Sequence, residues 1–228
     1  DLLVVTHDYT SAKELEQHIQ DLRTLVYRKF SIPLSPYIQP LAEIKAREPK
    51  GIILSGGPSS VYTEGALFCN KEIFELGIPV LGICYGMQLM AHLLGGEVAH
   101  TGKSEYGKTE LSIYPDTLLL RGLPLAQTVW MSHRDSVKEV PPGFKPTAHT
   151  HTAPVAAMEN TQKKLFGVQF HPEVIHTPAG MDILKNFLYD ACGCVPSWTR
   201  LSIIEETIRD VRETVGDNKI ICGLSGGV

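Results

Sequence analysis

The segment Ile78-Pro-Val-Leu-Gly-Ile-Cys84-Tyr-Gly86-Met-Gln88 sets one thiol between two glycines, directly after an apolar run. Gly82-x-Cys84-x-Gly86 is the cysteine counterpart of Gly-x-Ser-x-Gly, the strand-to-helix elbow that exposes a nucleophile. A turn that sharp leaves no room for neighbouring β-carbons. It also puts sulfur at a helix N-terminus, where the macrodipole and first-turn amides favour thiolate. A buried structural cysteine in an ordinary strand–helix turn is the competing reading of the same residues.

A nucleophile needs a base, and the base needs an orienter. Of nine histidines, His171 stands out because it follows the apolar run 165–170 and precedes Pro172 and Glu173. A strand terminus is where an α/β sheet presents its chemistry, and a carboxylate two residues on can reach back to the imidazole. The third requirement is a set of donors for an oxyanion. Ser55-Gly56-Gly57-Pro58 follows a second apolar run, 51–54, and glycine lets backbone N–H groups approach a substrate oxygen unobstructed. The amides of Gly57 and Tyr85 are the expected pair. Each motif alone also fits a plain turn; their joint occurrence is what points to nucleophilic catalysis.

These groups have to be held by a sheet. Continuous apolar runs at 2–6, 51–54 and 78–83 alternate with helical patterns, which predicts βαβ units and a parallel sheet covered on both faces. Helices are expected over 41–47, 69–76 and 85–94, and after the capping box Ser11-Ala-Lys-Glu14, with Leu15, Ile19, Leu22 and Val26 at helical spacing. Residues 31–40 hold three prolines and read as an edge strand and loop. Short strands at 109–114, 127–131, 144–149, 155–158 and 165–170, separated by turns, predict an antiparallel extension. Pro178 marks a helix start with Thr177 as its cap.

The chain has 228 residues, 43% hydrophobic and 20% charged, and a net charge of −4 without an acidic or basic tail. That is ample material for a core, and it lacks the electrostatic footprint of a nucleic-acid or membrane-surface binder. No apolar run approaches the roughly 20 residues of a membrane span. Five cysteines, Cys69, Cys84, Cys192, Cys194 and Cys222, show no framework spacing. With no signal peptide at the start, they point to a reducing cytoplasm. His149-Thr-His151 falls short of a metal ligand set, so no metal is expected, and Cys192 and Cys194 are expected as two reduced thiols. A seam at 192–198 precedes another helical pattern (Ile204, Ile208, Val211, Val215), a stop at Gly216, and a strand at 219–224 that delivers Ser225-Gly226-Gly227.

Four separated motifs now stand in order: Leu54-Ser-Gly-Gly-Pro58, Gly82-Ile-Cys-Tyr-Gly-Met-Gln88, Trp130-Met-Ser-His-Arg-Asp135 and Gln169-Phe-His-Pro-Glu173. They resemble the class I (triad) glutamine amidotransferases. Together with Leu224-Ser-Gly-Gly-Val228, they resemble the GMP synthetase family among these. The resemblance implies a flavodoxin-like α/β fold, a mostly parallel open sheet flanked by helices with an antiparallel extension. It implies that Cys84 forms a γ-glutamyl thioester, that His171 shuttles the proton and that Glu173 orients His171. Gln88, Ser132, His133 and Asp135 match the positions that hold glutamine, with Asp135 on its α-ammonium.

The glutamine amidotransferase domain would then be residues 1–194. Residues 195–228 would be a linker helix and the first strand and loop of a truncated ATP-pyrophosphatase domain, with Ser225, Gly226 and Gly227 as the beginning of the ATP loop. The glutaminase domain would need no cofactor. ATP and Mg2+ would serve the synthetase domain, where the released ammonia aminates XMP to GMP, and a homodimer would form through regions outside this chain. The alternatives are an amidotransferase for another acceptor, such as anthranilate, aminodeoxychorismate or carbamoyl phosphate, and a glutamine-binding pseudo-enzyme. Two positions depart from the family pattern. The first loop reads Val5-Thr-His-Asp-Tyr-Thr10, and Arg134 stands where the family has glycine. If position 134 needs a positive φ, arginine costs about 1 kcal/mol or more and displaces Asp135, which would raise KM for glutamine.

Overall fold

A computed structural model of the chain describes residues 2–5, 34–35, 41–57, 60–63, 66, 69–195, 208–209 and 211–216. The chain divides into two compact units, Asp1–Cys194 and Val195–Val228. Among the described residues of the first unit, nine strands form one mixed sheet. Its parallel half comprises β1 (Leu2–Val5), the two-residue edge strand β2 (Leu34–Ser35), β3 (Gly51–Leu54), β4 (Val80–Ile83) and β9 (Leu165–Val168). The antiparallel half comprises β5 (Glu97–Ile113), β6 (Ala126–Glu139), β7 (Lys145–His149) and β8 (Ala157–Asn160). The order across the sheet is β2-β1-β3-β4-β9-β8-β7-β5-β6.

The apolar runs of β3, β4 and β9 are continuous because both faces of these strands are covered. Ile53, Leu81, Ile83, Phe166 and Val168 point to one side, where they pack with Ile183 and Phe187. Ile52, Leu54, Val80 and Leu165 point to the other, against Ile44, Ile73, Phe74, Met87 and Met90. Ile73 and Phe74 come from a short 3-10 helix, and the others from α1 (Leu41–Arg47), α2 (Tyr85–Leu93) and α3 (Gly180–Lys185), the last running on into a π-helical turn at Asn186–Ala191. The Phe166 and Phe187 rings meet edge to face, 6.0 Å between centroids, locking that turn to β9.

Several sequence expectations are corrected. The helix expected over 69–76 is a five-residue 3-10 helix, Lys71–Glu75, started by the Asn70 side chain accepting from the Glu72 N–H at 3.0 Å. The strands expected at 109–114 and 127–131 are the ends of a 17-residue and a 14-residue strand that pair antiparallel. Strand β8 begins two residues later than expected, with Val155 making a lone bridge to Val137. Helix α3 begins at Gly180, after Ala179, so Thr177 is free for another task. In the second unit, 208–209 and 211–215 are helical, and Gly216, at φ 54°, donates to the Arg212 carbonyl at 2.9 Å. The capping-box helix, most of the first loop, the strand at 219–224 and Ser225, Gly226 and Gly227 lie outside the described residues.

Candidate active site

The parallel strands converge on one rim of the sheet. The carboxyl ends of β3, β4 and β9 carry Ser55-Gly56-Gly57, Cys84 and Gln169-Phe170-His171 respectively. Cys84 has φ 51° and ψ −106°, a conformation that costs a non-glycine residue about 1–3 kcal/mol unless its surroundings enforce it. Its N–H donates to the Val168 carbonyl at 2.8 Å, and its carbonyl accepts from the Gln88 N–H at 3.1 Å, opening α2. Two close approaches explain the flanking glycines. A β-carbon on Gly86 would lie 2.1 Å from the Leu54 carbonyl oxygen, and one on Gly82 would lie 2.6 Å from the Gly86 backbone. The elbow therefore exists only because three backbones touch where two side chains are missing.

His171 is carried three residues past the end of β9. Its N–H donates to the Trp130 carbonyl of β6 at 2.9 Å, so the antiparallel half fixes what the parallel half delivers. Glu173 Oε1 lies 2.7 Å from His171 Nδ1, which leaves Nε2 as the nitrogen presented to sulfur. Burial alone would push His171 down; hydrogen bonds with Cys84 and Glu173, and their charges, outweigh it and raise His171 to about 10. The imidazole thus holds its proton throughout the neutral range. By contrast, burial pushes Cys69 up to about 11 and Cys192 up to about 12, so neither competes as a nucleophile near pH 7. Cys192 and Cys194 are free thiols, and the His149 ring stacks on Tyr114 at 5.0 Å.

Gly56 packs directly against the pair, for a β-carbon there would lie 3.2 Å from His171 Cε1 and 3.6 Å from Cys84 Cβ. Gly57 follows it on the same half-buried turn, and Tyr85 is the first residue of α2. Cys84 Sγ lies 3.5 Å from the Ser132 carbonyl oxygen. The side chain of His133 turns inward, Nε2 to Glu105 Oε2 at 3.0 Å and Nδ1 to the Asp135 carbonyl at 3.0 Å, which leaves its backbone as the part available to a ligand. The Asp135 carboxylate is buried and accepts from two hydroxyls, Tyr62 at 2.6 Å and Ser60. Gln88, also buried, donates through Nε2 to the Asp135 carbonyl at 2.7 Å and to Gln169 Oε1 at 3.2 Å.

Ser60 and Tyr62 carry no signal in the sequence that singles them out, Gln169 shows only as the first residue of its motif and Thr177 only as an expected helix cap. Each acts through a partner many residues away. Arg134 sits inside β6, exposed, opposite the bulge between His100 and Glu105. It is absent from the positive-φ residues, which among described non-glycines are Glu48, Cys84, Asp116 and Lys164. The strain expected for Arg134 does not arise, because extended backbone accepts any side chain, and Asp135 stays in place.

Freed from capping a helix, Thr177 bridges two strands' worth of backbone. Its buried hydroxyl accepts from the Trp130 N–H at 3.0 Å and donates to the His171 carbonyl at 2.6 Å, tying the histidine's backbone to β6. Thr177→Val keeps the shape and removes both bonds. The expected outcome is a loss of about 1–3 kcal/mol of stability in thermal unfolding, since the half-buried Trp130 donor is left unpaired, with a lowered kcat for any reaction that uses His171.

A sharp cysteine elbow, a histidine–glutamate pair on the neighbouring strand and a glycine turn on the third lie together at one rim of an open α/β sheet. Residues 17–191 match the family model for class-I glutamine amidotransferases, and the chain belongs to that family. It is 53% identical over 193 residues to a GMP synthase [glutamine-hydrolyzing] of Thermobifida fusca, covering 85% of this chain and 37% of that protein. It is 54% identical over 200 residues to the protein of that name from Synechococcus, covering 87% of this chain and 38% of the relative. The chain thus spans well under half the length of these relatives. A solved candidate GMP synthase subunit from Thermoplasma acidophilum superposes with a TM-score of 0.66 at 26% identity, covering 93% of this chain and 97% of the other.

Proposed function

We propose that the chain hydrolyses glutamine to glutamate and ammonia through a thioester on Cys84, and that the ammonia serves ATP-dependent amination of XMP to GMP. The observation that carries the first half is Cys84 on its strained elbow beside a His171 that Glu173 holds at 2.7 Å. Cys84 Sγ attacks the carboxamide carbon, and the N–H groups of Gly57 and Tyr85 receive the developing oxyanion. His171 gives its Nε2 proton to the nitrogen, the C–N bond breaks, and ammonia leaves. Neutral His171 then takes a proton from water, hydroxide attacks the thioester, and the C–S bond breaks to release glutamate. Splitting amide hydrolysis in this way replaces one difficult step by two easier ones.

Asp135 is assigned to the α-ammonium of glutamine, with the backbone of Ser132 and His133 on its α-carboxylate and Gln88 supporting that wall. The relatives' names support GMP formation as the use of the ammonia. ATP and Mg2+ belong to the synthetase portion, begun by Ser225, Gly226 and Gly227, and no step assigned to residues 1–194 uses them. The same reading places the protein in the cytoplasm, as a homodimer formed outside this chain. Among the described residues no helix is long and apolar enough to cross a membrane.

The intact protein tests the acceptor: XMP and ATP with either glutamine or an ammonium salt should both yield GMP. Failure of XMP to be aminated from either source would assign the glutaminase to another acceptor. The titration of His171 gives a second test. Its protonated form is needed to expel ammonia, so kcat/KM for glutamine is expected to hold through neutral pH and fall as pH rises through about 10. Glu173→Gln removes the carboxylate charge that raises His171. The falling limb of the glutaminase pH profile should then move to lower pH.

A further inference from the structure

Gln169 is fully buried beside the nucleophile, in direct contact with sulfur, and the mechanism above gives it no part. Its backbone is fixed by an N–H bond to the Ala156 carbonyl at 2.8 Å, and its amide stands between Gln88 and Cys84. A side-chain amide offers a donor at one end and an acceptor at the other, and which end faces which neighbour follows from the hydrogen-bond network. Here the network starts at a group with no choice. The Asp135 backbone carbonyl can only accept, so the atom of Gln88 that meets it at 2.7 Å is the NH2 group. The other hydrogen of that NH2 points to Gln169 at 3.2 Å and requires the acceptor, Oε1, there. The remaining end of Gln169, its NH2, is then turned to Cys84 Sγ at 3.7 Å.

On this basis we propose that Gln169 is a further catalytic residue, whose amide donates to Cys84 sulfur and stabilises the thiolate, with Gln88 as the positioning residue that fixes its orientation. The sulfur lies between two partners of opposite character. The Ser132 carbonyl at 3.5 Å suits a thiol hydrogen, whereas the Gln169 NH2 suits a negative sulfur. A donor aimed at an ion in a water-poor site is worth more than one aimed at a neutral atom. The chain of amides also joins the wall assigned to glutamine's α-ammonium to the attacking atom, since Asp135 supplies the carboxylate to one and the carbonyl to the other. This inference rests on Cys84 being the nucleophile.

The test is the rate of Cys84 alkylation by iodoacetamide against pH, read by peptide mapping in the wild type, Gln169→Met, Gln169→Glu and Gln88→Met. Gln169→Met keeps the bulk and removes the donor. The expected result is a shift of the alkylation profile to higher pH, with a rate at pH 7 about tenfold lower, the loss of one hydrogen bond to a charged group. Gln169→Glu, which turns an oxygen on sulfur, should shift it further. Gln88→Met, remote from sulfur, should shift it less, because it only frees Gln169 to flip. In Gln169→Met, glutamine KM should stay near wild type while kcat falls. An unchanged profile in Gln169→Met, or in Gln88→Met should the first variant fail to fold, would overturn the proposal. A shifted profile in a protein that turns over no glutamine would uphold it and overturn the glutaminase assignment instead.

Discussion

With Cys84→Ala, glutamine hydrolysis is expected to fall by roughly 10⁴–10⁶-fold, the cost of deleting the nucleophile of a triad that acts as a unit. In the intact protein, GMP formation from added ammonia should persist at the wild-type rate while glutamine-driven formation disappears. The substitution is small and conservative in volume, and the elbow is held by backbone bonds to Val168 and Gln88 that an alanine retains. The folded state should therefore survive, and thermal unfolding should show it. Loss of both activities together would mean that Cys84 supports the structure rather than the chemistry. Neither Cys69 nor Cys192 is placed to take over, because burial raises them to about 11 and about 12.

Gly86→Ala is expected to be the most damaging change that touches no catalytic atom. The added methyl would sit 2.1 Å from the Leu54 carbonyl oxygen, a backbone atom of β3 that cannot rotate aside. Either α2 moves off the sheet, carrying Tyr85 and the Cys84 elbow with it, or the strand yields. Overpacking of this kind costs about 1–3 kcal/mol or more, and displacement of a nucleophile by about 1 Å costs roughly a hundredfold in rate. The expected result is a lowered melting temperature together with near-complete loss of glutaminase activity. Full activity in Gly86→Ala would show that α2 is not seated on β3 as described.

The chemistry is legible in the sequence where it is local, and the supports are hidden where they are not. Gly82, Cys84 and Gly86 announce the elbow because a tight turn constrains neighbouring residues. His171 and Glu173 announce themselves because the reach between them is two residues. Tyr62 and Ser60, by contrast, meet Asp135 across more than seventy positions. Thr177 reads as a helix cap because it precedes Pro178, yet its hydroxyl joins Trp130 to His171. The long β5–β6 ribbon is hard to read for a related reason. Its exposed face is polar and its bulge interrupts alternation, so only the buried ends around Leu111, Ile113, Val129 and Met131 look like strands. The family pattern misleads at Arg134, because strand pairing rather than residue type decides the backbone there.

The most direct measurement of the central claim is covalent capture. A chloroketone analogue of glutamine, incubated with the protein at neutral pH, should label one cysteine. Peptide mapping should find the adduct on Cys84 and none on the other four, with glutamine protecting the site and His171→Ala slowing the labelling. A Cys84 that stays unmodified, or is modified at the same rate whether or not glutamine is present, would contradict the account.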